Sequence, residues 1–352
     1  MPKESMTARE RWEAVLDRRK PDRVPMDYWA TPEADEKLMR HLRVNTIEEA
    51  HAKLHIDRPL TVSPRYVGPP RPPGTNQWGC RVRRVRYETG VYEEIVSHPL
   101  ASCSSIEEID ANYRWPSTDW YDYSHLAEEI RGQEHRPVQA GGSEPFLVYC
   151  ELRGLELGMM DLVTVPEIVR HCLGKLFDFA YENTRRIYEA IPGRVLISYV
   201  AEDMGSQTDL LFSPEAIRTF FLPGMKRMNE LAHSAGARVF YHSDGAVRKI
   251  VPDMIAIGID VLNPVQWRCE GMERQALKRD FGDKVIFHGG VDNQHTIPFG
   301  TQDEVRREVR ENIRILGAGG GYILAPCHNI QAVGPAENVV AMYEEGYACG
   351  WT

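Results

Sequence analysis

What most limits the folds open to this chain lies in its last third, where three short apolar runs each stop at polar residues. Arg238–His242 is followed by Ser243, Asp244 and Gly245; Val285–His288 leads through two glycines to Asp292 and Gln294; and Tyr322–Pro326 ends at Cys327, His328 and Asn329. Strand-length runs separated by amphipathic segments predict parallel strands with crossover helices, and a (β/α) barrel presents its reactive side chains at strand C-termini. From Val138 onward strands are predicted near 137–141, 194–200, 237–242, 259–263, 285–289 and 321–325, with helices over Pro166–Ile191 and Pro214–Ala235. Strands at Val24–Trp29 and Ile56–Val62 raise the count to eight. The expected class is therefore α/β, a single closed (β/α)8 TIM barrel in preference to an open doubly wound sheet.

With 352 residues, the chain exceeds the ~250 of a plain barrel. Residues 1–352 are expected to form one barrel domain, with N-terminal helices and a loop-and-hairpin insertion over 64–100. Thr7 with Glu10 marks a capped first helix that Pro21 stops. Pro64–Thr75 holds five prolines and two glycines, which predicts an irregular loop. Gly79–Tyr87 and Val91–Ser97 alternate around Glu88-Thr89-Gly90, a hairpin signal.

Forty-two basic against 51 acidic side chains, net −9, with no basic block, disfavours nucleic acid and points to a small-molecule substrate. The N-terminus has no apolar signal core, and no run of ~18 apolar residues occurs, so a soluble cytoplasmic protein without a membrane span is expected. Seven scattered cysteines without a C-x-x-C pair indicate reduced thiols. Phosphate-loop, dinucleotide-loop and nucleophile-elbow motifs are absent, and the glycines at 317–321 precede a strand instead of opening a helix.

Four groups of residues carry possible chemistry. In His242-x-Asp244 the two side chains of an extended segment point the same way, as metal ligands or as a hydrogen-bonded structural pair. In Cys327-His328 only one side chain faces the cavity; either would add a third ligand and leave an open position, whereas Cys327 alone reads as a buried thiol. Glu202 and Asp203, with Glu151 and Arg153, are candidates for a general base or metal shell, against caps and ion pairs. Asn263, Gln266, His288, Asp292 and Gln294, at successive strand ends, suit a polar ligand or hold loops. Tyr28, Trp29, Trp78 and Tyr241 are candidate aromatic walls.

Together, Tyr241-His242-Ser243-Asp244-Gly245, Asn263-Pro264-Val265-Gln266, His288 to Gln294, Tyr322 to Gln331 with Pro335-x-Glu337-Asn338, Asp203 to Gln207 and Pro21-Asp22-Arg23-Val24-Pro25 resemble the uroporphyrinogen decarboxylase superfamily over nearly the whole chain. That resemblance implies a (β/α)8 barrel. True uroporphyrinogen decarboxylases carry an Arg-Gln-Ala-Gly-Arg signature after the first strand for their many-carboxylate substrate; here Met26-Asp27-Tyr28-Trp29-Ala30-Thr31-Pro32 has no arginine. The resemblance is closer to the cobalamin-dependent methyltransferase branch, which implies a partner corrinoid-binding protein and a possible homodimer. Thiol-methylating members hold zinc with His-x-Cys and a later Cys; this chain keeps His242 but has Asp244 in place of that Cys. A shell of His242 and His328 with Asp244 or Cys327 suits an oxygen-bearing substrate better than a thiol. The expected function is zinc-assisted methyl transfer from a methyl ether, such as an aromatic O-methyl compound, or a methylamine to a cob(I)alamin protein. In it Asp203, Glu202, Asp244 and His328 are catalytic candidates, and Tyr28, Trp29, Glu151, Asn263, Gln266, His288 and Asp292 are substrate-binding candidates. Alternatives are a decarboxylase acting on another carboxylate and a non-catalytic tetrapyrrole- or corrinoid-binding barrel.

Overall fold

The computed structural model describes residues 3–352. Eleven strands form: β1 (Leu60–Thr61), β2 (Arg65–Tyr66), β3 (Arg81–Tyr87), β4 (Gly90–Ser97), β5 (Tyr121–Asp122), β6 (Val138–Ser143), β7 (Ile197–Ala201), β8 (Arg238–His242), β9 (Val261–Asn263), β10 (Ile286–Val291) and β11 (Tyr322–Pro326). Seven of them make one curled sheet in the order β1-β6-β7-β8-β9-β10-β11, parallel at every step. β3 and β4 pair as the expected hairpin, separate from that sheet.

The expected first strand, Val24–Trp29, is not a regular strand. Pro25 has no N–H to give to a ladder, and the segment makes isolated bonds to both edges of the sheet instead. Asp27 N–H donates to Leu324 O at 2.9 Å, Leu324 N–H to Pro25 O at 2.9 Å, and Asp57 N–H to Met26 O at 2.7 Å. Residues 24–30 thus form a seam between β11 and the stretch entering β1, giving a TIM-barrel-like ring. Pro59 likewise confines the expected strand over Ile56–Val62 to the two residues of β1. A second correction concerns Pro64–Thr75: Arg65–Tyr66 within it pairs antiparallel with β5.

Helix boundaries follow their caps. Thr7 and Glu10 form a complete capping box on Ala8–Leu16, and Thr301 with Glu304 does the same for Gln302–Leu316. The helix expected over Pro214–Ala235 is one helical run holding a π turn at Ile217–Phe221, two residues before Pro223 removes an N–H. Among the described residues no helix is long and apolar enough to cross a membrane.

Two apolar clusters set the height of the site. The larger fills the space between sheet and helices. The smaller lies inside the ring: Ile197, Phe240, Val261, Ile286 and Ile323 from five consecutive strands, with Trp12, Val15 and Leu16 of the first helix as a plug. Strand side chains alternate with period two, so residues two further along β8, β9 and β10 enter the same interior one layer higher. Those residues are His242, Asn263 and His288. A polar layer therefore sits directly on an apolar one, at the C-terminal end of the strands.

Candidate active site

His242 is 4% exposed, and its two ring nitrogens face different surroundings. Nδ1 lies 2.5 Å from Asn263 Oδ1, an atom that can only accept, so the ring proton is assigned to Nδ1 and a lone pair remains on Nε2. Nε2 points at carboxylates, 3.8 Å from Asp203 Oδ1 and 4.0 Å from Asp244 Oδ1. Asp244 Oδ2 in turn lies 4.0 Å from His328 Nε2. Ligand atoms of His242, Asp244 and His328 all fall within 4.8 Å of one another.

The loop after β8 is locked from both sides. Asp244 N–H donates to Asp203 Oδ1 at 2.9 Å, Gln266 Nε2 donates to Asp244 Oδ1 at 3.1 Å, and Gly245 N–H donates to Gln266 Oε1 at 2.6 Å. Burial lowers the His242 pKa, opposed by Asp244, and raises that of Asp244, opposed by both histidines. Two imidazoles and a carboxylate, with one Nε2 held free of protons, are a donor set that fits a zinc-class divalent ion. An open position would remain for substrate.

Behind His242 the network continues inward. Asn263 Nδ2 lies 2.6 Å from His288 Nδ1, and His288 Nε2 lies 3.0 Å from Asp27 Oδ2. Trp29 Nε1 donates to the same Oδ2 at 2.9 Å, and Tyr28 N–H donates to Oδ1 at 2.8 Å. Trp29 and Tyr199 wall the ring of His242, with centroids 5.7 and 5.6 Å away. They also border a cavity of ≈ 520 Å³, which Asp27, Arg58, Gln139 and Asn329 help to line. A cavity of ≈ 500 Å³ at the opposite end of the barrel, beside Arg18, Gly319 and Trp351, touches none of these groups.

Carboxylates line the other side. β6 carries a register shift between Gln139 and Gly142; Gly142 has φ +124°, and a Cβ there would stand 1.7 Å from Tyr199 O. Only glycine permits this close approach, and it directs the chain into Glu144. In the sequence Glu144 reads only as part of Ser143-Glu144-Pro145, a helix opening. It is half-buried, and its carboxyl is pushed up to about 7 by burial first, then by Asp203, Glu151 and Asp244. The available signal was an acid at the end of an inward-facing strand, immediately before Pro145.

Several expected site residues take other roles. Glu202 is buried, and Oε1 accepts Phe146 N–H at 2.7 Å, capping the helix Pro145–Arg153 from the end of the neighbouring strand; burial raises its pKa well above the usual range. Cys327 turns away from the histidines: Sγ–H donates to Val265 O at 3.2 Å, and burial pushes the thiol up. His328 is the neighbour that faces the site. His288 is fully buried and meets Asn263 and Asp27 through its two ring nitrogens. Tyr28 is core, its hydroxyl donating to Asp35 at 2.7 Å, and Trp78 and Tyr241 are core as well. Asp292 is held by Arg268 at 2.5 Å and by Gln294 N–H at 2.9 Å, a loop clamp. Glu151 accepts from Asn76 at 3.1 Å, and Arg153 pairs with Asp161 at 2.6 Å while donating to Leu100 O and Cys103 O; both tie the helix after β6 to the region before it.

The profile of the family described as "Uroporphyrinogen decarboxylase (URO-D)" matches residues 84–347. The fold is similar to that of a solved "methyltransferase from Methanosarcina mazei", with a TM-score of 0.68, 18% identity, and coverage of 98% of this chain and 99% of that one. A remoter likeness, to native xylanase 10B from Thermotoga maritima, has a TM-score of 0.38 and 14% identity over 66% of this chain and 85% of that one. No curated protein sequence matches the chain. The matched span holds His242, Asp244 and His328 and every strand of the curled sheet except β1, and the chain belongs to the uroporphyrinogen decarboxylase family.

Proposed function

We propose that this protein is a methyltransferase that takes a methyl group from a small methyl ether or methylamine and passes it to a corrinoid on a partner protein. The observation that carries this reading is the convergence of His242 Nε2, an Asp244 oxygen and a His328 nitrogen within 4.8 Å, beside a walled cavity. The family assignment and the whole-length likeness in fold support it. A zinc ion bound by these three residues would supply Lewis-acid charge for the departing heteroatom.

The chain's own residues have separable tasks. Trp29 and Tyr199 exclude water from one side and offer flat apolar faces to the methylated group. Glu144, with its carboxyl raised to about 7, is about half protonated at neutral pH and stands on the acidic side to hand that proton to the leaving oxygen or nitrogen. Gln266 and Asp203 hold Asp244 in place. Two nitrogens and an oxygen make a hard donor set, which suits an oxygen or nitrogen leaving group better than a thiolate.

The test is elemental analysis with an activity screen. About one zinc per chain, lost in the His242→Ala/His328→Ala variant, together with cob(I)alamin-dependent demethylation of a methoxyaromatic or methylamine panel, is the expected result. Metal-free wild type that still acts on its substrate would overturn the metal role and leave acid–base chemistry at Glu144 and Asp203.

A further inference from the structure

We infer that Asp27 is a positioning residue which, through His288 and Asn263, fixes the protonation pattern of His242 on the far side of the barrel interior. The chain of contacts is short at every step: His242 Nδ1 to Asn263 Oδ1 at 2.5 Å, Asn263 Nδ2 to His288 Nδ1 at 2.6 Å, and His288 Nε2 to Asp27 Oδ2 at 3.0 Å. All four residues are buried, at 4, 0, 0 and 2% exposure, so water cannot substitute for a missing partner.

Direction in this chain is set at one end. The Asp27 carboxylate accepts only, already taking N–H groups from Trp29 and Tyr28, so His288 Nε2 must be the donor. A neutral His288 then presents Nδ1 as an acceptor, and that selects the amide nitrogen of Asn263 on its side. The amide oxygen is left for His242, whose proton goes to Nδ1. His242 Nε2 is thereby kept bare toward Asp244 and His328. Asn263 and His288 have no orientation of their own: each can be read forwards or backwards, and both are read forwards because Asp27 cannot donate.

Replacing Asp27 by asparagine tests this directly, because it adds a donor with almost no change in shape. In Asp27→Asn, made in a Trp29→Phe background that removes the indole N–H from Oδ2, the new amide oxygen stays with Tyr28 N–H, the new NH₂ faces His288 Nε2, and the whole chain reverses. His288 donates from Nδ1 to the Asn263 oxygen, the Asn263 NH₂ donates to His242 Nδ1, and the His242 proton moves to Nε2. Adding Asn263→Asp restores the original state at His242, since a carboxylate at that position accepts from His242 Nδ1 and from His288 Nδ1 together. A purely structural Asp27 gives no reason for a second buried substitution to repair the first.

Two readouts decide it. In zinc-free protein with ¹⁵N-labelled histidine, long-range ¹H–¹⁵N spectra should show His242 protonated on Nδ1 in the wild type and in Trp29→Phe, on Nε2 once Asp27→Asn is added, and on Nδ1 again with Asp27→Asn/Asn263→Asp. Zinc affinity by chelator competition should fall about 10- to 100-fold when Asp27→Asn is added to Trp29→Phe and recover when Asn263→Asp follows. Wild type protonated on Nε2 overturns the inference, whether or not any variant folds, as does an Asp27→Asn variant with the tautomer and affinity of its Trp29→Phe background. The zinc arm alone rests on the metal reading above: a wild type that binds no zinc but shows the predicted tautomers sinks that reading and keeps this one.

Discussion

Two buried polar networks begin on the same short segment and run to opposite ends of the barrel. Toward the bottom, Asp22 and Arg23 join Arg11 of the first helix and Asp57: Arg11 bonds Asp22 at 2.7 Å and Asp57 at 2.6 Å, and Arg23 bonds Asp57 at 2.7 Å. Asp57 also accepts Met26 N–H at 3.0 Å. Toward the top, Asp27 opens the His288–Asn263–His242 chain. The lower network is closed: each charge meets an opposite charge, and the remaining donors end on Glu4 and on the carbonyls of Met6, Val24 and His55. The upper one is open, ending on a lone pair with carboxylates and His328 beyond it. Closure serves stability, and an open end is where a ligand completes the set.

The comparison breaks most visibly at Asp57. Asp57→Ala strands parts of two buried guanidinium groups and should cost about 3–5 kcal/mol in urea-induced unfolding. Equal stability of variant and wild type would show the lower network to be dispensable. His242→Ala should instead abolish measurable zinc binding, while His328→Ala, whose side chain is 40% exposed and has no hydrogen bond among the described residues, should lose only part of the affinity. Equal losses would show that the open end does not begin at His242.

Glu144→Gln sharpens the contrast through pH. The folded Glu144 carboxyl keeps its proton up to about 7, from a usual 4.5, so between those values the folded state binds the extra proton. Stability from this group therefore declines as pH rises through that window. The glutamine variant should flatten that decline in unfolding measured from pH 5 to 7. On the proposed reaction it should also lower kcat about 100-fold and remove a loss of activity above pH 7. The smallest effect is expected at Cys327: Cys327→Ser should leave zinc affinity unchanged and stability within about 1 kcal/mol, because Ser Oγ can keep the bond to Val265 O.

Much of this architecture is legible in the sequence. Period-two alternation in Phe240/His242 and Ile286/His288 places polar ends above apolar runs, and that suffices for a barrel and for the face that holds the chemistry. What alternation cannot supply is depth. Asn263 stands beside His242 in register and His288 lies three residues before the end of β10, and both sit behind His242 in the barrel interior. One residue of offset decides between Cys327 and His328, and the ladder to β10, which runs on to Cys327 N–H bonding Val291 O at 2.8 Å, fixes it. Glu144 and Glu202 exchange their expected parts for a similar reason. A cap supplied from the end of β7 to a helix after β6 is a long-range contact with no local pattern, and it frees the acid that stands at the helix start.

The seam has a consequence in time as well as in space. Asp27 and His288 are 261 positions apart, and Leu324 bonds Pro25 and Asp27 across almost the full chain. Contacts of such span form late, since loop closure precedes any reward for it. During synthesis, then, Asp27 meets His288 only once the seam has closed on the late strands, and His328 arrives with the last of them. A metal captured at that moment would tie the loop after β8 to the loop after β11, riveting the ring at the joint that is last to shut and, on unfolding, first to open.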